Sequence, residues 1–224
     1  MSILGKTPVK PKPHPWLTAP GPVSTGMKIG LLGGSFNPAH EGHLHVSETA
    51  LKKLGLDYVW WLVAPQNPLK PKVGMAPLAH RLAFAAEKYE HHPRIVVVDV
   101  ETSLHTRFTI DTVTKLKRRF PSVHFVWLMG TDNLVSFNRW RRWQDIARKL
   151  PIAVIMRPGS TLAPLCAKAA LRFANERHIT PKTIALAAPP ALIVVDGPRN
   201  AASSTAIRAK AGWDQALVSA IPPC

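Results

Sequence analysis

Short apolar runs rich in Val, Ile, Leu and Trp alternate with longer amphipathic stretches, which predicts an α/β chain: a doubly wound parallel sheet of about five to six strands with helices on both faces. Two further observations support that class. The apolar runs are continuous, without in-and-out alternation, as strands buried on both faces must be. A length of 224 residues with 46% hydrophobic content is enough to cover such a sheet on both sides.

The elements follow in chain order. Residues 1–26 hold six prolines and no periodic apolar pattern, and read as a flexible, basic, Pro-rich arm ahead of a single domain at 27–224. Strands are expected at "KIGLLG" (28–33), "YVWWLVA" (58–64), "RIVVVD" (94–99), "HFVWLMG" (124–130) and "IAVIMR" (152–157), with helices near 42–54, 76–90, 109–119 and 142–149. The late run "TIALAAPPALIVV" (183–195) is split by Pro189 and Pro190, and no uninterrupted apolar stretch reaches the about 18 residues of a membrane span. The N-terminus lacks the apolar centre of a secretory signal, and Cys166 and Cys224 are too few and too far apart for a disulfide framework or a cysteine metal site. A soluble, cytoplasmic protein is therefore expected.

A formal charge of +16 implies a field that attracts nucleic acid, an acidic membrane surface or phosphorylated small molecules. Part of it sits in "KLKRRF" (115–120) and "NRWRRW" (138–143), either solvated helix faces or, for the second, a base-stacking surface.

Doubly wound sheets bind ligands beyond the carboxyl ends of their strands. Those ends read "GGSFNPAHEGH", "PQNPLKPK", "DVETS", "GTDNL" and "RPG", so glycines, amides, carboxylates and cations gather on one rim. In the first, Gly33 and Gly34 allow a ligand close to the main chain, and Pro38 carries the chain across the sheet edge. His40 and His43 then fall in the first turn of a helix, where open N–H groups favour an anion and a bound polyphosphate favours the charged imidazoles. The stretch is not a Walker loop, and its histidines are three apart where a zinc-type HExxH has them four apart; a metal held by His40, His43 and His45 is the competing reading.

"GGSFNPAHEGH" resembles the (G/S)G(T/S)F(D/N)PxHxGH signature of the HxGH nucleotidyltransferase superfamily, and within it the chain most resembles bacterial nicotinate-nucleotide adenylyltransferases. "PQNPLKP" (65–71), "FTIDTV" (108–113), "GTDNLVSFNRW" (130–140), "MRPG" (156–159) and "SSTAIR" (203–208) carry the narrower match, from about Met27 to about Gly212. The resemblance implies a Rossmann-like fold and transfer of adenylyl from ATP to nicotinate mononucleotide, giving deamido-NAD and pyrophosphate. His40, His43 and Arg208 are then the catalytic phosphate-binding groups. It implies ATP contacts from Gly33, Gly34, Ser35, Phe36, Gly130, Asp132, Arg157, Ser203, Ser204 and Thr205 as well, and substrate contacts from Asn67, Lys70, Thr109, Asp132 and Trp140.

Trp140 would stack on the nicotinate ring, with Trp143 as the alternative indole, and Thr109 would help hold its carboxylate. On chemistry alone, Ser203 or Ser204 also serves as an ordinary helix cap, Asp132 as a cap for the helix after the fourth strand, and Arg157 as part of a plain turn. The pattern departs from the commoner one at Asn37 (often Asp), at Phe108 (often Tyr) and in the long basic arm. No carboxylate cluster forms a metal cage, so Mg²⁺ is expected to arrive with the ATP phosphates. ATP and nicotinate mononucleotide are the expected partners; neither nucleic acid nor a membrane is expected, and a homo-oligomer is left open. The rival readings are a pantetheine-phosphate adenylyltransferase and a non-catalytic basic nucleic-acid-binding module. A class I aminoacyl-tRNA synthetase is set aside, since 224 residues leave little room for an anticodon domain and no KMSKS-like segment occurs.

Overall fold

The computed structural model describes residues 19–65, 74–89, 91–156 and 166–196. Six parallel strands, β1 (Lys28–Gly34), β2 (Tyr58–Val63), β3 (Ile95–Val98), β4 (His124–Gly130), β5 (Ile152–Ile155) and β6 (Leu192–Val195), form one sheet in the order β3-β2-β1-β4-β5-β6. The chain winds outward from β1 to β3, then returns to the far side of β1 as β4 and winds outward the other way. The order therefore reverses between β1 and β4, where a crevice opens at the carboxyl ends of the strands.

Consecutive side chains on these strands go to opposite faces, and "VWWLV" shows it: Trp60 enters the cluster on one side of the sheet and Trp61 the cluster on the other, both fully buried. Each indole removes enough apolar surface from water for about 4–6 kcal/mol of transfer free energy before entropy is charged. The Trp61 face is covered by α1 (Glu41–Lys53), α2 (Leu78–Tyr89) and a 3-10 turn at Pro181–Leu186. The Trp60 face is covered by α3 (Val100–Ser103), α4 (Thr109–Arg119), α5 (Thr131–Ser136), α6 (Trp143–Lys149) and α7 (Lys168–Arg172).

The four expected helices and five expected strands are present, with shifts of a few residues at their ends. α1 starts at His40 as its cap, carries Glu41 in its first turn and Lys52 and Lys53 in its last, in line with the helix dipole. α4 turns Ile110, Val113 and Leu116 inward and leaves Lys117, Arg118 and Arg119 at its C-terminus. β6 was concealed in the sequence by its two preceding prolines, and α3, α5 and α7 are too short to show a helical period. Residues 19–26, the end of the Pro-rich arm, run beside the sheet: Gly26 N–H donates to the Ser122 carbonyl at 2.9 Å, and Val23 packs on the Trp60 cluster. Among the described residues no helix is long and apolar enough to cross a membrane.

Candidate active site

The first exit from the sheet is held open by aromatic rings. A side chain at Gly33 would place its Cβ 2.7 Å from the Trp127 ring, and one at Gly34 would lie 3.3 Å from Phe36, so the turn passes as bare backbone between two rings. Phe36 has a left-handed backbone (φ 45°) that bulky residues seldom adopt, and its ring is 1% exposed, stacked on Trp61 at 5.1 Å and against His43 at 4.4 Å. The Asn37–Pro38 peptide is cis, and the chain then enters α1.

His40 and His43 meet there, with ring centroids 3.9 Å apart. The Gly42 N–H donates to His40 Nδ1 at 3.0 Å, and the His40 N–H donates to His43 Nδ1 at 3.2 Å, a reciprocal cap at the helix start. Both Nδ1 atoms act as acceptors, so in each neutral ring the proton belongs on Nε2. The sequence assigned anion recognition partly to open N–H groups of the first turn. In the structure the imidazoles accept two of those N–H groups at their Nδ1 atoms. His45, the third member of the metal reading, is buried on α1, and among the described residues no cluster of three or more His, Cys, Asp or Glu side chains is placed to hold an ion.

Across the crevice, β4 ends at Gly130, which caps α5; Asp132 is exposed in that helix's first turn. Trp127, the ring over Gly33, meets Trp140 edge-on at 5.9 Å, and Trp140 also meets Phe137 at 5.4 Å. Trp143 packs between Phe137 (5.8 Å) and Phe173 (5.6 Å) on the far side. A chain of contacts therefore runs from the Gly33 turn through Trp127 to Trp140, which Trp143 does not join. Both indoles of "NRWRRW" are half-buried and pack against the core.

Arg141 lays its guanidinium over the Phe108 ring at 4.5 Å, with Arg107 at 5.6 Å. Phe108 caps α4, and half-buried Thr109 is its first residue. Sequence neighbours of Trp140 and of Thr109 thus touch, and two cations gather where the two motifs join. Asn67, Lys70, Arg157, Ser203, Ser204, Thr205 and Arg208 lie outside the described residues.

One residue at this rim was missed in the sequence. Arg81 is 2% exposed and gives its guanidinium donors to main-chain carbonyls at the exits of β1 and β2. A signal was present: Arg81, Ala85 and Tyr89 recur every four residues as the buried stripe of α2, a place where an apolar residue is the norm. Tyr89 completes the far side of the first turn, donating its hydroxyl to Glu41 at 3.1 Å beside Trp61. Burial, with the adjacent Glu41, moves that phenol's pKa upward.

Comparison with known proteins bears on the fold and the family. Residues 31–210 match the Cytidylyltransferase-like family. A probable nicotinate-nucleotide adenylyltransferase of Parvibaculum lavamentivorans is 52% identical over 85% of this chain and 96% of its own length. Its counterpart in Roseobacter denitrificans is 49% identical over 84% and 94%, and that of Brucella abortus 48% identical over 81% and 94%. Among solved structures, the nicotinic acid mononucleotide adenylyltransferase of Plasmodium falciparum complexed with NaAD shares the fold at a TM-score of 0.62 and 16% identity, over 82% of this chain and 83% of that one. A six-stranded parallel sheet of this order, the HxGH turn at its switch point and relatives alike over nearly their whole length together establish that the chain belongs to the nicotinate-nucleotide adenylyltransferases of the cytidylyltransferase-like family.

Proposed function

We propose that the chain transfers the adenylyl group of ATP to the phosphate of nicotinate mononucleotide, giving deamido-NAD and pyrophosphate, a step of NAD biosynthesis. The observation that carries this reading is the imidazole pair at the sheet's switch point, each ring accepting a main-chain N–H at Nδ1, which puts the proton of each neutral ring on Nε2. A mononucleotide phosphate oxygen attacks the α-phosphorus in line, the bond from that phosphorus to the bridging oxygen breaks, and the electron pair leaves with pyrophosphate. No protein nucleophile is needed. What the reaction requires is two anions held together and stabilisation of the charge that builds on the leaving group, which His40 and His43 supply as oriented donors.

The remaining assignments are part of the same proposal. Gly33, Gly34, Ser35 and Phe36 offer ATP a close main-chain approach, and Gly130 and Asp132 take the adenosine side. Trp140 receives the pyridine ring and Thr109 its carboxylate. Arg141 and Arg107 supply a positive field beside Thr109 that favours the acid over the amide. Asn67, Lys70, Arg157, Ser203, Ser204, Thr205 and Arg208 keep the roles that the motifs give them. Mg²⁺ enters as part of the MgATP substrate, retaining its waters and binding phosphate oxygens. We place the protein in the cytoplasm, with no nucleic-acid partner.

Pyrophosphate release with ATP and Mg²⁺, comparing nicotinate mononucleotide, nicotinamide mononucleotide and phosphopantetheine, tests the reading. Turnover on the first, lost in His43→Ala, is expected. Release with phosphopantetheine alone would replace the acceptor, and release with none would remove the reaction.

A further inference from the structure

Arg81 draws three separate segments onto one buried cation. Its Nε donates to the Ala76 carbonyl at 2.8 Å, Nη1 to those of Ser35 at 2.5 Å and Ala64 at 2.8 Å, and Nη2 to that of Pro65 at 2.9 Å. Ser35 belongs to the β1 exit, Ala64 and Pro65 to the β2 exit, and Ala76 to the approach to α2. Asn37 stitches the same seam: its amide donates to the Gly74 carbonyl at 2.7 Å, and its Oδ1 accepts the Ala76 N–H at 3.2 Å. Among the described residues Arg81 donates to carbonyl oxygens, and Asp99 acts on it through space. Burial lowers the guanidinium's pKa, and Asp99 partly opposes that.

A buried guanidinium is a costly way to fill space, since an apolar side chain of similar volume avoids the desolvation. What a guanidinium offers and an apolar residue does not is a rigid planar fork whose donors fix several acceptors at set distances. The acceptors here are the carbonyls behind the turn that passes between Trp127 and Phe36 and leads to His40.

We infer that Arg81 is a positioning residue for adenylyl transfer: it sets the spacing between the exits of β1 and β2, and so the place at which the Gly33–Phe36 backbone and the imidazole pair meet the phosphates. The inference rests on the reaction proposed above. Arg81 itself touches neither substrate. Its loss therefore leaves every contacting group present but displaced, and misplacement by about 1 Å costs on the order of 10²-fold in rate.

The test uses the full chain as wild type, Arg81→Lys, Arg81→Gln and, as a core control far from the rim, Ile193→Val in β6, which is 1% exposed. Melting midpoints are measured first, and pyrophosphate release is then followed at one temperature well below all of them. The expected result is a fall in kcat of about 10- to 100-fold in Arg81→Lys, with KM for ATP and for the mononucleotide changed less than about threefold, and a larger fall in Arg81→Gln. Ile193→Val loses melting temperature and keeps kcat.

A folded Arg81→Lys with wild-type kcat overturns the inference and reduces Arg81 to a structural role, as does failure of both Arg81 variants to fold while Ile193→Val folds. A silent wild type overturns the reaction and this inference with it, whereas turnover by the wild type with unaffected variants overturns this inference alone.

Discussion

Replacing Glu101 by Gln should change the way stability depends on pH, by an amount the structure sizes. Glu101 is 8% exposed in α3, and burial first, then the charge of nearby Asp99, push its carboxyl up from 4.5 to about 7. A displacement of that extent is worth roughly 3 kcal/mol in favour of the protonated folded form. Between about pH 4.5 and pH 7 the folded chain keeps a proton that the unfolded chain has released, so stability falls as pH rises through that window; above about 7 the loss is complete and constant. Glutamine has the same shape and never ionises. Melting followed by circular dichroism from pH 4.5 to pH 8 should show the two proteins alike at the acid end. They should separate through neutrality, with Glu101→Gln higher by about 6–12 °C at pH 8 for a chain of this size. Parallel curves across the range, or a wild type that gains on the variant as pH rises, would refute the assignment of a neutral buried carboxyl. The matter reaches the site, because the Glu101 carbonyl accepts the Thr106 N–H at 2.9 Å, at the root of the loop that delivers Phe108 and Thr109.

Four further outcomes are expected. Gly33→Ala forces a methyl to within 2.7 Å of a fully buried indole, so it should cost about 1–3 kcal/mol in thermal melting and, by moving Trp127 against Trp140, raise KM for the mononucleotide. His40→Ala and His43→Ala should each lower kcat by about 10²-fold or more in steady-state assays, with melting reduced only by the loss of a helix cap. Trp140→Ala should raise KM for nicotinate mononucleotide by roughly 5- to 150-fold, the range set by loss of one aromatic stacking partner, while KM for ATP stays near its wild-type value. Arg141→Ala should narrow the ratio of kcat/KM between nicotinate and nicotinamide mononucleotide by about tenfold at low salt, and the difference between variant and wild type should shrink as salt is added.

The fold was legible because burial on both faces leaves a continuous apolar run, a signal that survives in β1 to β5 without knowledge of any partner. It failed at β6, where four residues follow a Pro-Pro pair and the run before them is spent in a 3-10 turn. The imidazole pair was legible for a different reason: its partners are main-chain groups two and three residues away, so the whole device lies in one short segment. Arg81 was not, because the carbonyls it binds lie 5 to 46 residues away and any residue type can supply a carbonyl. The different packing of Trp140 and Trp143 was not legible either. Both stand in the same Arg-rich run, and only packing against Trp127 separates them.

The return crossing from β3 to β4 has a consequence for how the protein is made. Lys28 in β1 pairs with His124 in β4, 96 residues later, so the central strand has a neighbour on one side only until that stretch has left the ribosome. At 5–20 residues per second this is roughly 5–20 s of synthesis. For that interval the growing chain exposes an unsatisfied apolar edge at the centre of its future sheet, and the switch point that creates the crevice is also the side on which the central strand waits longest for its partner.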